Sequence, residues 1–183
     1  MNWLNTILIL ALAYLAAFLE GPFALFRNLL GAQITLLPAL MVYASLSSGI
    51  GTVALLAVWG GLLRDSPSDN PLGVSILPLF LIGFIILRKR DLLLREHQFA
   101  QMALGLAAGA LFPLGTLFLL YNVGHGPLLG WMWLWQWVVG TLTGGVLTPL
   151  LFRLFARLRH ALEYPAKQQS SFREDREIKR GRQ

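Results

Sequence analysis

The stretch FAQMALGLAAGALFPLGTLFLLYNVGHGPLLGWMWLWQWVVGTLTGGVLTPLL, residues 99–151, contains no Asp, Glu, Lys or Arg. Residues 1–19, 28–63 and 70–87 are uncharged as well. A helix that crosses a bilayer needs about 20 mostly apolar residues, and a charged side chain at the bilayer centre costs about 3 kcal/mol. A soluble domain would instead carry charges along the outer faces of its helices. The sequence therefore predicts an integral membrane protein.

Composition agrees with this prediction. The 183 residues are 56% hydrophobic and 13% charged, whereas a soluble domain averages about 25% charged residues. We expect one integral membrane domain, residues 1–162, followed by a basic, disordered cytoplasmic tail, residues 163–183.

The chain has no cysteine, so it forms no disulfide, thiolate metal site or cysteine nucleophile. Because no basic segment precedes it, we interpret the first apolar run as a retained helix and not a signal peptide.

Turn residues divide the apolar runs into six predicted transmembrane helices. The uncharged run 28–63 would form a helix of about 54 Å, which is too long for the bilayer, so we divide it at Ser47–Gly51. The second and third helices are then short: either flanking residues extend them, or they pack inside the bundle while the bilayer thins around them. The predicted helices are 3–19, 34–46, 52–63, 72–87, 99–121 and 131–155.

The positions of the basic residues predict the orientation. Of 15 Lys and Arg, four lie between the fourth and fifth helices and nine lie from Arg153 onward. Two crossings separate these groups, and the positive-inside rule makes their shared side cytoplasmic. Six spans place both termini in the cytoplasm, and a five-span alternative moves only the N-terminus. We expect Arg88, Lys89 and Arg90 to face the anionic lipids of the cytoplasmic leaflet.

Four tryptophans open the last predicted helix, at Trp131, Trp133, Trp135 and Trp137. Residues two apart on a helix point to opposite sides, so the four indoles cannot form one stripe. They are typical of an interfacial aromatic belt, with a partner-docking surface as the alternative.

Small residues recur at helical spacing on the last two helices, as Gly105 and Gly109 and as Gly140 and Gly144. Such residues permit close approach of two helix backbones in a membrane. Internal packing between these two helices explains the pattern, and a groove for a partner's helix is the alternative.

The segment LRDSPSDNPLGV, residues 63–74, places Arg64, Asp65 and Asp69 beside turn-forming residues. Asp65 and Asp69 could serve as a general acid and base, but no histidine, Ser–Lys pair or metal ligand lies near them in the sequence. We interpret the segment as a structural turn with an Arg64–Asp65 interaction.

Patterns typical of enzymes are missing from the sequence. The histidines His97, His125 and His160 stand alone, and no metal-binding or phosphate-loop motif occurs. We predict no catalytic residue, metal or cofactor. Nucleic acid is a poor partner because no aromatic platform accompanies the basic residues, and an ion-driven transporter is disfavoured because no charge is expected at mid-membrane depth.

Three segments resemble the rod shape-determining MreD family: WGGLLRD (59–65), PLGV (71–74) and VVGTLTGGVLTP (138–149). The order of segments and the basic ends match over about residues 1–162. Asp69 and the long charged tail depart from the family's pattern, so nothing about the tail is carried over. The candidate partner-binding or structural residues are Arg64, Asp65, Pro71, Gly73, Gly140, Gly144 and Pro149.

The resemblance implies a non-enzymatic component of the bacterial elongation machinery that is located in the inner membrane. Such proteins bind the single-span shape protein MreC and through it influence RodA and a class B penicillin-binding protein, above MreB filaments. The family's fold is similar to the substrate-binding subunits of energy-coupling-factor vitamin transporters.

Two other functions stay open. A substrate-binding membrane subunit of the vitamin-transporter type would need polar contacts in a pocket, for which Asn122, His125 and Gln136 are candidates. A membrane hydrolase would use Asp65 and Asp69.

Overall fold

Apolar runs form helices, and the turn residues between them mark where the helices end. The computed structural model describes residues 3–20, 35–68, 70–90, 98–124 and 130–167. Within these ranges the fold is all-α, with six helices and no strand. The helices are α1 (Trp3–Glu20), α2 (Leu37–Ser47), α3 (Ile50–Asp65), α4 (Ile76–Lys89), α5 (Gln98–Asn122) and α6 (Trp131–Lys167).

Two of these helices are long and apolar enough to cross a membrane, namely α5 and the Trp131–Leu158 part of α6. Only 22% of the apolar stretch of α5 and 33% of the apolar stretch of α6 is buried. Neither helix therefore resembles the core helix of a soluble protein. The predicted helical class is confirmed, and six helices occur among the described residues. Six membrane crossings remain a prediction, since at 1.5 Å per residue α2 measures only about 17 Å.

The shortest helix lies at the centre of the bundle. Every residue of α2 from Leu37 to Leu46 is buried, and α2 contacts α1, α3, α4 and α5. A helix that is apolar on all sides is buried on all sides. Of the two explanations for its shortness, packing inside the bundle is therefore the one that the structure supports.

The other helices expose large apolar side chains where a soluble protein would place charges. On α1, α3, α4 and α5 they include Trp3, Ile7, Phe18, Leu55, Trp59, Leu81, Ile85, Leu111 and Phe118. An apolar exterior of this extent is typical of a surface that faces lipid.

Polar contacts join three chain segments at one end of the bundle. The amide of Asn5 donates to the hydroxyl of Ser48 (3.0 Å), and the hydroxyls of Thr6 and Thr52 are hydrogen-bonded (3.0 Å). The guanidinium of Arg90 donates to the carbonyl of Ser48 (3.4 Å). The start of α1, the α2–α3 turn and the end of α4 therefore lie together, and we call this the basic end because Arg88, Lys89 and Arg90 are exposed there.

The last helix is longer than the sequence predicts. It continues to Lys167 and not to residue 155, because Ala, Leu, Arg and Glu dominate residues 156–164 and favour helix. The chain divides into two compact units, residues 1–151 and 152–183, with the border inside α6. Residues 163–167 of the predicted tail are helical, and the remainder of that tail lies outside the described residues.

Candidate functional site

One carboxylate organises the turn between α3 and α4. Asp65, the last residue of α3, is 1% exposed. Its Oδ2 accepts the backbone N–H of Gly73 at 2.9 Å and that of Ser75 at 3.0 Å, and its Oδ1 accepts the hydroxyl of Ser75 at 2.5 Å. We call Asp65, Gly73 and Ser75 the Asp65 latch.

The hydrogen bonds of the Asp65 latch satisfy the Asp65 carboxylate, which would otherwise be costly to bury. A carboxylate without hydrogen bonds is disfavoured by several kcal/mol in an apolar interior. Asp65 is the only buried Asp, Glu, Lys or Arg among the residues whose side chains the structure describes. Gly73, whose backbone N–H donates to the Asp65 carboxylate, has a positive φ of 96°, which other residues rarely adopt. Just before it, the carbonyl of Pro71 accepts the N–H of Val74 at 3.3 Å and tightens the turn.

The structural interpretation of this segment is therefore confirmed for Asp65. Its oxygens accept hydrogen bonds that hold the turn, and Asp69 lies outside the described residues. The Arg64–Asp65 interaction stays a prediction, and Arg64 also contacts α5, where its guanidinium carbon is 5.3 Å from the centre of the Phe112 ring. A guanidinium at this distance from an aromatic ring makes a favourable cation–π contact.

Arg64 also faces a cavity of about 210 Å³. The end of α3, the following turn, the second half of α5 and the first half of α6 line this cavity. Because α3 runs away from the basic end, the cavity lies at the opposite end of the bundle. Its lining residues are Thr35, Arg64, Asn70, Ser75, Phe112, Pro113, Thr116, Leu117, Leu120, Trp133, Gln136, Trp137 and Gly140.

The four tryptophans divide between two faces of α6. Trp133 and Trp137, one turn apart, are half-buried and line the cavity, whereas Trp131 and Trp135 are 82% and 45% exposed. The indole N–H of Trp137 donates to the Ala110 carbonyl at 3.0 Å, which ties α6 to α5. The prediction that the indoles do not share one stripe is confirmed. The interfacial belt itself stays a prediction, and two of its four members, Trp133 and Trp137, also line the cavity.

The predicted small-residue faces pack against each other. A Cβ atom added to Gly144 would lie 2.7 Å from the Gly105 carbonyl oxygen and 3.3 Å from the Gly109 Cα, so the α5 and α6 backbones are in contact. Internal packing is thus confirmed for this pair. Gly140 differs, since a Cβ there would meet nothing within 4 Å, and this residue borders the cavity.

The remaining candidates are dispersed. Pro71 is half-buried in the turn, and Pro149 is half-buried within α6. Asn122 donates to the Phe118 carbonyl, and His125 lies outside the described residues, so Gln136 alone of the pocket candidates is seen in the cavity. No group of three His, Cys, Asp or Glu that could hold a metal occurs in the part of the chain that the structure describes.

Sequence reasoning missed the cavity because its members are far apart in the chain. Arg64 and Phe112 are separated by 48 positions, and neither spacing nor composition joins them. One signal was present: Trp133, Gln136, Trp137 and Gly140 recur at three and four residues, which places them on one helix face.

Comparisons with models of protein families, with curated proteins and with solved structures found no match to this chain.

Proposed function

We propose that this protein is a non-enzymatic scaffold of the MreD type in a bacterial inner membrane. It binds a single-span MreC-like protein and through it supports the RodA and class B penicillin-binding protein pair, above MreB filaments. Cell-wall elongation and maintenance of cell shape are the resulting functions.

The Asp65 latch is the observation that carries this proposal. Two of the segments on which the MreD resemblance rests, 59–65 and 71–74, meet at the carboxylate of Asp65. The pattern thus corresponds to one structural unit and not to scattered apolar matches. The Asp65 carboxylate holds the backbone of the turn in place. This role suits a protein that presents a rigid surface to partners.

The proposed membrane arrangement has six crossings with both termini in the cytoplasm. The start of α1 and the basic end of α4 lie at the same end of the bundle, as this topology requires. The short α3 and α4 measure about 24 Å and 21 Å. They cross if the bilayer thins locally around the bundle, at a fraction of a kcal/mol per Å.

The test is affinity purification of the tagged protein from membranes in mild detergent, with identification of the recovered proteins by mass spectrometry. We expect a single-span coiled-coil protein together with cell-wall synthases. The Asp65→Ala variant loses this recovery because the turn loses its anchor. Ser66→Ala, an exposed neighbour in the same turn, is the matched control and keeps it. Recovery of no cell-wall protein with the unmodified chain contradicts the proposal.

The second candidate, a substrate-binding subunit of the vitamin-transporter type, is favoured by one observation. Gln136, a residue with both donor and acceptor groups, lines the cavity beside Arg64 and Trp137. That function predicts recovery of an ATPase module and a coupling subunit in the same purification. It also predicts a higher melting temperature with a vitamin, because a ligand that binds only the folded state stabilises it.

A further inference from the structure

The helices of the bundle differ in apolar length. The uncharged stretch of α3 comprises residues 50–63 and that of α4 residues 76–87, about 21 Å and 18 Å at 1.5 Å per residue. On α5, the uncharged residues 99–121 measure about 35 Å. The hydrocarbon core of a bilayer is about 30 Å thick. This thickness matches α5 and exceeds the apolar length of α3 and α4.

The two short helices share one apolar surface. Because α3 and α4 pack against each other, their exposed side chains are continuous, and we call this surface the α3–α4 face. At the basic end it is bounded by the exposed charges of Arg88 and Lys89. An apolar surface that ends at exposed basic residues is typical of contact with lipid tails and headgroups. The face comprises Leu55, Val58, Trp59, Leu62, Leu77, Leu81, Phe84 and Ile85.

One contact fixes the alignment of α4 and α5. A Cβ atom added to Gly115 of α5 would lie 3.0 Å from the Pro78 Cβ of α4. The end of α4 is joined to the start of α5 by a short connection, so the two packed helices are antiparallel. Counted along both helices from this contact, Arg88 of α4 is level with Gly105 of α5.

The α5 helix continues past this level without a charge. Residues 99–104 extend about 9 Å beyond Arg88, and Phe99 and Met102 among them are 84% and 43% exposed. A flat bilayer that covered these side chains would place the Arg88 backbone about 9 Å inside the hydrocarbon, where a charge is costly. Extension of the Arg88 side chain toward the headgroups covers only part of this distance.

We propose that the α3–α4 face binds a thinned patch of bilayer, formed by phospholipids whose acyl chains are shorter than those around α5. The thinning is concentrated at the basic end. A partner's transmembrane helix of about 20 residues would extend past the face, so short lipid is the better fit. The inference rests on the crossing of α3 and α4 in the proposed topology. It goes beyond the scaffold function, because it requires no protein partner.

Two exposed positions, one on α4 and one on α5, test the proposal. Ile85 is 51% exposed and Ala107 is exposed as well, and alignment from the Pro78–Gly115 contact places them within one residue of the same level. The chain has no native cysteine, so Ile85→Cys and Ala107→Cys each carry one nitroxide label. In dioleoyl phosphatidylcholine vesicles, electron paramagnetic resonance with oxygen and a water-soluble nickel complex measures the depth of each label.

The label at Ile85 should lie at least about 5 Å nearer to the headgroups than the label at Ala107. In dimyristoleoyl phosphatidylcholine, whose chains are shorter, this difference should disappear because the whole bilayer is thin. Equal depths in the dioleoyl bilayer overturn the proposal and leave the six-crossing topology and the scaffold function standing. A label at Ile85 that meets only the nickel complex contradicts the topology as well. A label at Ile85 that meets neither reagent shows that protein covers the face, which also overturns the proposal.

Charge variants test the cause of the thinning. Arg88→Leu together with Lys89→Leu extends the apolar stretch of α4, so the label at Ile85 should move about 3 Å deeper. Arg157→Leu removes an exposed charge from α6 and should leave both labels at their depths. Melting curves verify that each variant is folded. A label at Ile85 that keeps its depth in the folded double variant overturns the assignment of the thinning to the basic end.

Discussion

The carboxylate of Asp65 and the backbone N–H of Gly73, eight residues later, are joined by a 2.9 Å hydrogen bond. The bond closes the turn between α3 and α4, and Ser75 adds two more to the same side chain. Since α3 and α4 pack extensively against each other, the turn that joins them fixes a large part of the bundle.

Asp65→Ala should therefore destabilise the protein. The substitution leaves the partly buried N–H of Gly73 and the buried N–H and hydroxyl of Ser75 without their acceptor, at about 1–3 kcal/mol for each group that finds no replacement. We expect a loss of roughly 3 kcal/mol in the free energy of unfolding. Thermal denaturation in detergent measures it, with the exposed Ser66→Ala as control. Equal melting temperatures for the two variants would show that the latch does not stabilise the fold.

Gly73→Ala tests the backbone of the same turn. Gly73 has a φ of 96°, and its nearest neighbour in space is the Ile76 Cδ1, 3.7 Å from an added Cβ. Space is therefore sufficient, and the cost comes from the backbone conformation, about 1–3 kcal/mol. Gly49→Ala is the control, because Gly49 has a negative φ of −95° and open space around its Cβ position. A melting temperature that falls equally in both variants would contradict this explanation.

Gly144→Leu should separate α5 from α6. Even a Cβ would lie 2.7 Å from the Gly105 carbonyl, and backbone cannot move aside as a side chain can. We expect a loss of about 3 kcal/mol in stability and reduced recovery of partners. Gly140→Ala, one turn earlier on the same helix, meets nothing within 4 Å and should melt like the unmodified protein. If both variants melt alike, the close approach of the two helices contributes little.

The six-span topology can be tested by cysteine labelling, because the chain has no native cysteine. Ser68→Cys and Val123→Cys occupy exposed positions after α3 and α5, and Lys89→Cys occupies the exposed end of α4. In spheroplasts, an impermeant maleimide should label the first two, and it should label Lys89→Cys only after lysis. Equal labelling of Ser68→Cys and Lys89→Cys in intact spheroplasts would mean that α4 does not cross the membrane.

Charge and turn patterns were sufficient to predict most of the helices. The uncharged runs predicted a helix at each of the six places, and α5 begins and ends within one residue of its predicted bounds. The predicted end of α6 was wrong. Once a helix has left an apolar environment, it continues through charged residues as readily as through apolar ones. Local patterns specify where a helix forms. Helix propensity does not fall at the point where the helix leaves the bilayer, so the sequence shows no helix end there.

The site was only partly predictable for a different reason. The Asp65 latch is local, so a turn containing Asp65 and Gly73 could be inferred from residues eight positions apart. The cavity depends on how α3, α5 and α6 pack, and this information is distributed over side chains such as Phe112 and Trp133. Periodicity predicts which residues share a helix face, but it does not predict which helix that face meets.

Trp137 and Trp131 on α6 should contribute differently to the stability of the fold. Trp137 donates its indole N–H to the Ala110 carbonyl on α5, whereas Trp131 is 82% exposed. Trp137→Phe removes that hydrogen bond and some packing, and we expect it to cost about 1 kcal/mol in stability. Trp131→Phe keeps an aromatic ring at an exposed position and should leave the melting temperature unchanged. Thermal denaturation of both variants in the same detergent measures the difference. Equal loss from both would favour one interfacial belt, in which all four indoles serve the same purpose, over a division between lipid-facing and cavity-facing tryptophans.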